Sequence, residues 1–131
     1  MKKIMATAAA ALLAGGVATA TAGTASAAPC TTNGVVLQSV GLYAHSERVA
    51  TVRIHWSETC GTNWATASFP SGSKGTLTLW TGSNGSSPQS ISTAWTSAYT
   101  SPIYARNTVA WAGLNLTLSN GERASAVTDK F

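Results

Sequence analysis

Residues 48–67, RVATVRIHWSETCGTNWATA, carry a regular apolar and polar alternation that runs into a cysteine-bearing turn, and no other stretch limits the fold as strongly. In an extended chain successive side chains point to opposite faces. Val52, Ile54 and Trp56 therefore share one face, suited to burial, and Thr51, Arg53 and His55 share the other, suited to water. Glu58-Thr59-Cys60-Gly61 breaks the pattern, and a second apolar run from Trp64 to Phe69 stops at Pro70. The whole reads as a β-hairpin with a cysteine at its tip.

The remainder of the chain continues in the same manner, with no convincing helical periodicity after Thr31. Candidate strands cover residues 35–40, 42–45, 49–57, 63–69, 76–80, 90–95, 108–112, 114–119 and 124–128, separated by Gly, Ser, Asn and Pro. Asn120-Gly121, between Leu114-Leu116-Leu118 and Ala124-Ala126, is the strongest short-range hairpin signal. The polar run from Thr81 to Gln89 reads as the longest turn-like connection. Short strands at this spacing predict an all-β fold, a small single-domain antiparallel β-sandwich or barrel.

Residues 1–27 have the pattern of a secretory signal peptide. Lys2-Lys3 precede an Ala-rich apolar stretch, and Ala25-Ser26-Ala27 supplies the small-residue cleavage signature, which places cleavage near Ala27. Gly15, Gly16, Thr19, Thr21 and Gly23 interrupt the stretch and no charged stop-transfer run follows, so stable membrane insertion after signal removal is not expected. The predicted product is one secreted domain, residues 28–131. Removing Lys2 and Lys3 leaves six cations against four carboxylates, a net charge of about +2. Those cations are scattered along the sequence and form no basic cluster, which argues against nucleic-acid binding. Cys30 and Cys60 are the only cysteines of an exported chain and most simply form one intramolecular disulfide, pairing between copies being the alternative. Their spacing is not that of a redox or metal motif, and neither a metal nor a cofactor is expected.

Arg53, then Trp56-Ser57, Cys60 and Trp64-Ala65, resemble the R-[YW]-S-x-x-C-x-x-x-W-A core of the YjfA-like proteins, a family of small secreted, mostly actinobacterial proteins and a domain of unknown function. Tyr99-Thr100-Ser101-Pro102-Ile103, Asn107-Thr108-Val109 and Leu118-Ser119-Asn120-Gly121 extend the resemblance over most of residues 28–131. This chain departs from the family pattern in having two cysteines where relatives often have more. The resemblance implies export and a small domain, and it implies no active site.

Five tryptophans stand out in a chain with only two phenylalanines. Trp56, Trp64 and Trp111 are expected in the core, because a chain short of other large apolar residues has to fill its interior. Trp80 and Trp95 flank the 82–89 loop, and with Asn84 and Tyr99 they form the candidate binding set for an extracellular glycan or protein. The weaker alternative is a small hydrolase in which His45, Glu47, His55 and Glu58 converge for acid–base work. No nucleophile elbow occurs and the serines have no evident base, so a catalytic residue is not assigned. An envelope-associated interaction protein without a small ligand is the third reading, and a monomer is expected in each case.

Overall fold

The computed structural model describes residues 30–131, and the expected signal peptide lies outside them. Nine strands and no helix occur among the described residues: β1 (Val35–Ala44), β2 (Glu47–Ser57), β3 (Thr62–Ser68), β4 (Lys74–Thr81), β5 (Ser86–Ile91), β6 (Ser97–Tyr99), β7 (Ile103–Tyr104), β8 (Ala110–Thr117) and β9 (Arg123–Val127). They form two antiparallel sheets. One has the order β1-β2-β3-β6, with β7 also paired to β3, and the other the order β9-β8-β4-β5. The chain passes between the sheets after β3, after β5 and after β7.

The alternation read in β2 is kept. Val52 and Ile54 are fully buried, and Trp56 is partly buried against the same core, whereas Arg53 and His55 are on the opposite face. The core joins both sheets through Leu42, Val52, Ile54, Ala65 and Ala67 on one side and Leu77, Leu79, Ala112, Leu114 and Leu116 on the other. The edge strands β1 and β9 are linked where Gln38 bonds Asp129 through side chain and backbone and where His45 Nε2 meets the Glu122 carboxylate.

Two pairs of predicted strands merge. Residues 35–40 and 42–45 are one strand, β1, because register shifts between Val36 and Gln38 and between Leu42 and Tyr43 absorb its irregular pattern. Residues 108–112 and 114–119 are likewise one strand, β8, which runs straight through Gly113. The 90–95 prediction is displaced: β5 begins at Ser86, and the long polar connection shrinks to a turn at residues 82–85. As an edge strand β5 needs no apolar signature and tolerates Pro88 opposite Thr78. The Asn120-Gly121 hairpin forms between β8 and β9, closed by Leu118 N donating to the Glu122 carbonyl at 2.7 Å.

Cys30 and Cys60 are bonded, with Cα atoms 5.7 Å apart. The bond ties the chain ahead of β1 to the β2–β3 turn. Thr62 Oγ1 donates to the Cys30 carbonyl at 2.7 Å, and Ser57 Oγ donates to the Thr32 carbonyl while accepting from Cys60 N at 3.1 Å. Closing a loop with a sequence separation of 30 stabilises the fold by about 3–4 kcal/mol through the unfolded chain. Replacing both cysteines with serine is therefore expected to lower Tm by roughly 10–20 °C without changing the far-UV circular dichroism at 20–25 °C. A Tm unchanged in the double variant would show that the bond contributes nothing.

Candidate functional site

Outward positions on the four-stranded sheet follow from its register and from the burial of Leu77, Leu79, Ala112, Leu114, Leu116 and Ala124 on the inner side. Four rows cross the outer face. Ser86, Trp80 and Trp111 are aligned in the first, and Pro88, Thr78, Gly113 and Val127 in the second. Ser90, Thr76, Asn115 and Ser125 follow in the third, and Lys74, Thr117 and Arg123 in the fourth. An aromatic pair thus stands at one end of a face whose further rows carry hydroxyl and amide groups, together with Pro88, Gly113 and Val127 in the second row and Lys74 and Arg123 in the fourth.

The pair is held in place from below. The Trp80 and Trp111 rings stack with centroids 6.0 Å apart and planes 21° from parallel. A Cβ at Gly113 would lie 2.7 Å from Trp80 Cζ3 and 2.9 Å from Cη2, so the Trp80 indole lies directly on the bare backbone of β8. Only glycine in the second row lets the ring lie that close. Lys130 Nζ is 4.5 Å from the centroid of the Trp111 ring, a cation–π contact. It is placed there because residues beyond β9 stay beside β8, with Phe131 N and O both bonded to Ala110. Farther along the same sheet an open groove of about 600 Å³ is lined by Tyr43, Thr76, Asn115, Thr117, Arg123 and Ser125, among others.

The sequence-predicted binding set is not gathered. Trp80 is at one end of β4, whereas Trp95 follows Ile91, which is opposite Gly75 at the other end. The five residues from Gly75 to Trp80 correspond to roughly 17 Å of strand. Trp95 is 41% exposed in the turn after β5, and Tyr99, 73% exposed, belongs to β6 of the other sheet. Asn84 is used by the fold: its Nδ2 donates to the Tyr104 carbonyl at 2.6 Å and its N to Thr81 Oγ1 at 2.8 Å. Only Trp80 of the four belongs to the aromatic face.

Two of the expected core tryptophans point outward. Trp111 is the partner of Trp80, and Trp64 is on the outer face of β3, stacked on His55 with centroids 5.1 Å apart and planes 10° from parallel. The benzo edge of Trp64 packs against Gly34, where a Cβ would come within 2.3 Å of Cη2. The missed residues had a signal. Read as one strand, Ala110 to Thr117 alternates Ala, Ala, Leu, Leu with Trp, Gly, Asn, Thr, and splitting it at Gly113 hid that face.

The acid–base candidates do not converge. Glu47 opens β2 and Ser57 closes it, about 33 Å of extended strand, so His45 and Glu47 are at the opposite end from Glu58. Direct proton transfer among all four is excluded at that separation. Each of three has a structural partner: His45 meets Glu122, His55 Nε2 is 2.7 Å from Thr66 Oγ1, and Glu58 accepts from Trp56 Nε1 at 3.1 Å and from Arg106 Nη1 at 2.8 Å. Arg106 also donates to the Glu58 carbonyl at 2.7 Å and lies over the Trp56 ring, which fastens the end of the sandwich beside the disulfide. Among the described residues no group of three or more His, Cys, Asp or Glu is placed to hold a metal ion. Compared with protein-family models, curated proteins and solved structures, the chain matches none.

Burial, and then the neighbouring Arg53 charge, hold the His55 pKa below its ordinary value of 6.5. The folded state thus prefers neutral imidazole. The stabilisation is full above pH 6.5 and is lost as pH falls through the lower folded value, because the unfolded chain takes up the proton first. Urea unfolding of the parent and of His55→Gln across about pH 7.5 to 5 isolates this contribution, since carboxylate effects are common to both. The parent is expected to lose more stability over that interval, and parallel profiles would contradict the assignment.

Proposed function

We propose that this chain is an exported carbohydrate-binding module and that the outer face of the four-stranded sheet receives a polysaccharide. The stacked Trp80–Trp111 pair on Gly113 carries the reading. A pyranose ring offers an apolar C–H face edged by hydroxyls, and the sheet offers indole faces beside Thr78, Thr76, Asn115, Ser125, Ser90 and Ser86 in register. Rigid indoles supply contact area at little conformational cost, and polar groups at fixed spacing orient what stacks on them. From the tryptophan row to the Thr76–Asn115 row is four residues, roughly 13 Å, so more than one sugar ring is accommodated along a strand.

Export is supported by the Lys2-Lys3 and Ala25-Ser26-Ala27 signals of the leader and by the Cys30–Cys60 bond, a bond that persists in oxidising compartments. No helix among the described residues is long and apolar enough to cross a membrane. The pattern of Arg53, Trp56-Ser57, Cys60 and Trp64-Ala65 supports the same placement through its resemblance to the YjfA-like proteins.

Titration of the oxidised protein with a panel of soluble polysaccharides, followed by tryptophan fluorescence and calorimetry, tests the reading. Trp80→Ala and Trp111→Ala are each expected to weaken binding at least ten-fold, about 1.4 kcal/mol or more, as aromatic anchors do. Gly113→Ala keeps both indoles and lifts Trp80 from the sheet, so it is expected to weaken binding while the circular dichroism stays that of the parent. Trp95→Ala is expected to have no effect. Binding that survives loss of the Trp80–Trp111 pair and disappears with Trp64→Ala would move the site to the other sheet and refute the proposal.

A further inference from the structure

We propose that the polysaccharide taken by this face is acidic, a polymer whose rings carry carboxylates, and that Lys130 acts as the residue that selects it. The inference rests on the glycan reading and adds the chemical class of the ligand. Of the six described cationic residues, Lys74, Arg123 and Lys130 all belong to this face, with Lys130 at its tryptophan end and the other two in the last row. Lys74 is six residues along β4 from Trp80, so positive charge brackets a face roughly 20 Å long. No aspartate or glutamate occurs anywhere in β4, β5, β8 or β9.

The two carboxylates that flank β9 are drawn off toward β1. Glu122 engages His45 in the turn after β1, and Asp129 engages the amide of Gln38 on β1. Glu58 is held by Arg106 at the disulfide end, and Glu47 belongs to β2 in the other sheet. The charged side chains that the strands of this face carry, Lys74 and Arg123, are both cationic, and with Lys130 they frame an aromatic and hydroxyl-bearing surface, the complement of a polyanion with stackable rings.

Lys130 makes the selection sharper than net charge alone. Its ammonium rests over Trp111, so a ring that stacks there has to displace it. A neutral sugar offers the displaced ammonium nothing in return for the lost cation–π contact. A carboxylate on the stacked ring accepts it as an ion pair, and the same movement uncovers the indole. Removing the Lys130 charge is therefore expected to weaken acidic ligands and not to weaken neutral ones.

Calorimetry of the full oxidised chain with polygalacturonate and with its methyl ester tests this, since the two share a backbone and differ in carboxylate charge. Polygalacturonate is expected to bind about ten-fold more tightly at low ionic strength, and the gap is expected to narrow as salt screens the face. Lys130→Gln is expected to weaken polygalacturonate about two- to five-fold and to leave the ester unchanged or tighter, and Lys74→Gln and Arg123→Gln are expected to weaken polygalacturonate by similar factors. Equal affinity for acid and ester, with both still dependent on Trp80, would overturn acid selection and leave the glycan reading standing. Binding to polygalacturonate matched by duplex DNA and indifferent to Trp80→Ala would also overturn it, as adsorption of any polyanion. If neither pectin form binds, the acidic proposal falls, and the glycan reading falls with it only when the neutral polysaccharides of the panel fail as well.

Discussion

The spacing between the two sheets is set by small side chains, and the surface chemistry depends on it. Eight of the seventeen buried apolar residues are alanines, among them Ala65 and Ala67 on β3 and Ala110 and Ala112 on β8. These leave room for Ile54, Leu42, Leu77, Leu79 and Leu114, all of them buried between the sheets. An indole inserted among them would force the sheets apart, the overpacking that cores resist. Only Trp56 is packed against this core, and it does so from the rim, with its Nε1 turned out to Glu58. The other tryptophans of the described chain are consequently placed on outer faces or in a turn, where they do not have to serve the interior.

The titratable groups show the same division between fold and surface. His45, Glu58, Glu122, Asp129 and Arg106 are engaged at the ends and along the seam of the sandwich, where strands close and the chain changes sheets. Exposed pairs of this kind contribute little stability each, but they fix which edge meets which. His55 works differently, as a neutral ring filling the gap between Trp64 and Thr66 with Arg53 beside it. Carboxylates and imidazoles so distributed serve to close the structure, and none of them is brought to the aromatic face.

Much of the scaffold was legible in the sequence because it depends on local rules. Alternation in β2, the Asn120-Gly121 turn and the pairing of two cysteines each follow from a few neighbouring residues. The site was less legible because it depends on register between strands distant in sequence. That Trp80 stands opposite Trp111 is a fact about the β4–β8 ladder, and nothing near either residue announces it. The inference that tryptophans must fill a core poor in phenylalanine failed for a physical reason: alanine shrinks the volume to be filled. The error at β5 is of the same type, since an edge strand of Ser, Pro and Gln gains its hydrogen bonds from β4 and needs no apolar face of its own to be recruited.

The two outer faces carry similar residues yet differ in what they can offer a ligand. On the five-stranded sheet Trp64 is sandwiched between His55 and Gly34, so its surface is spent on holding the segment that leads from the disulfide into β1. On the four-stranded sheet Gly113 lets the Trp80 benzo edge approach the β8 backbone, and the ring stacks with Trp111 in the first row of the outer face. A missing Cβ thus seats each indole, one stacked on an imidazole beside the segment that follows the disulfide and one paired with a second indole. Lys130 lies over Trp111 on this second surface, and it is carried on residues that follow β9, held to β8 by the backbone bonds between Phe131 and Ala110 and by Thr128, whose N donates to the Ala112 carbonyl and whose Oγ1 accepts from Ala112 N. A flexible ammonium over a fixed indole is a cover that a negative charge can draw aside, which makes this face responsive to the charge of whatever approaches it.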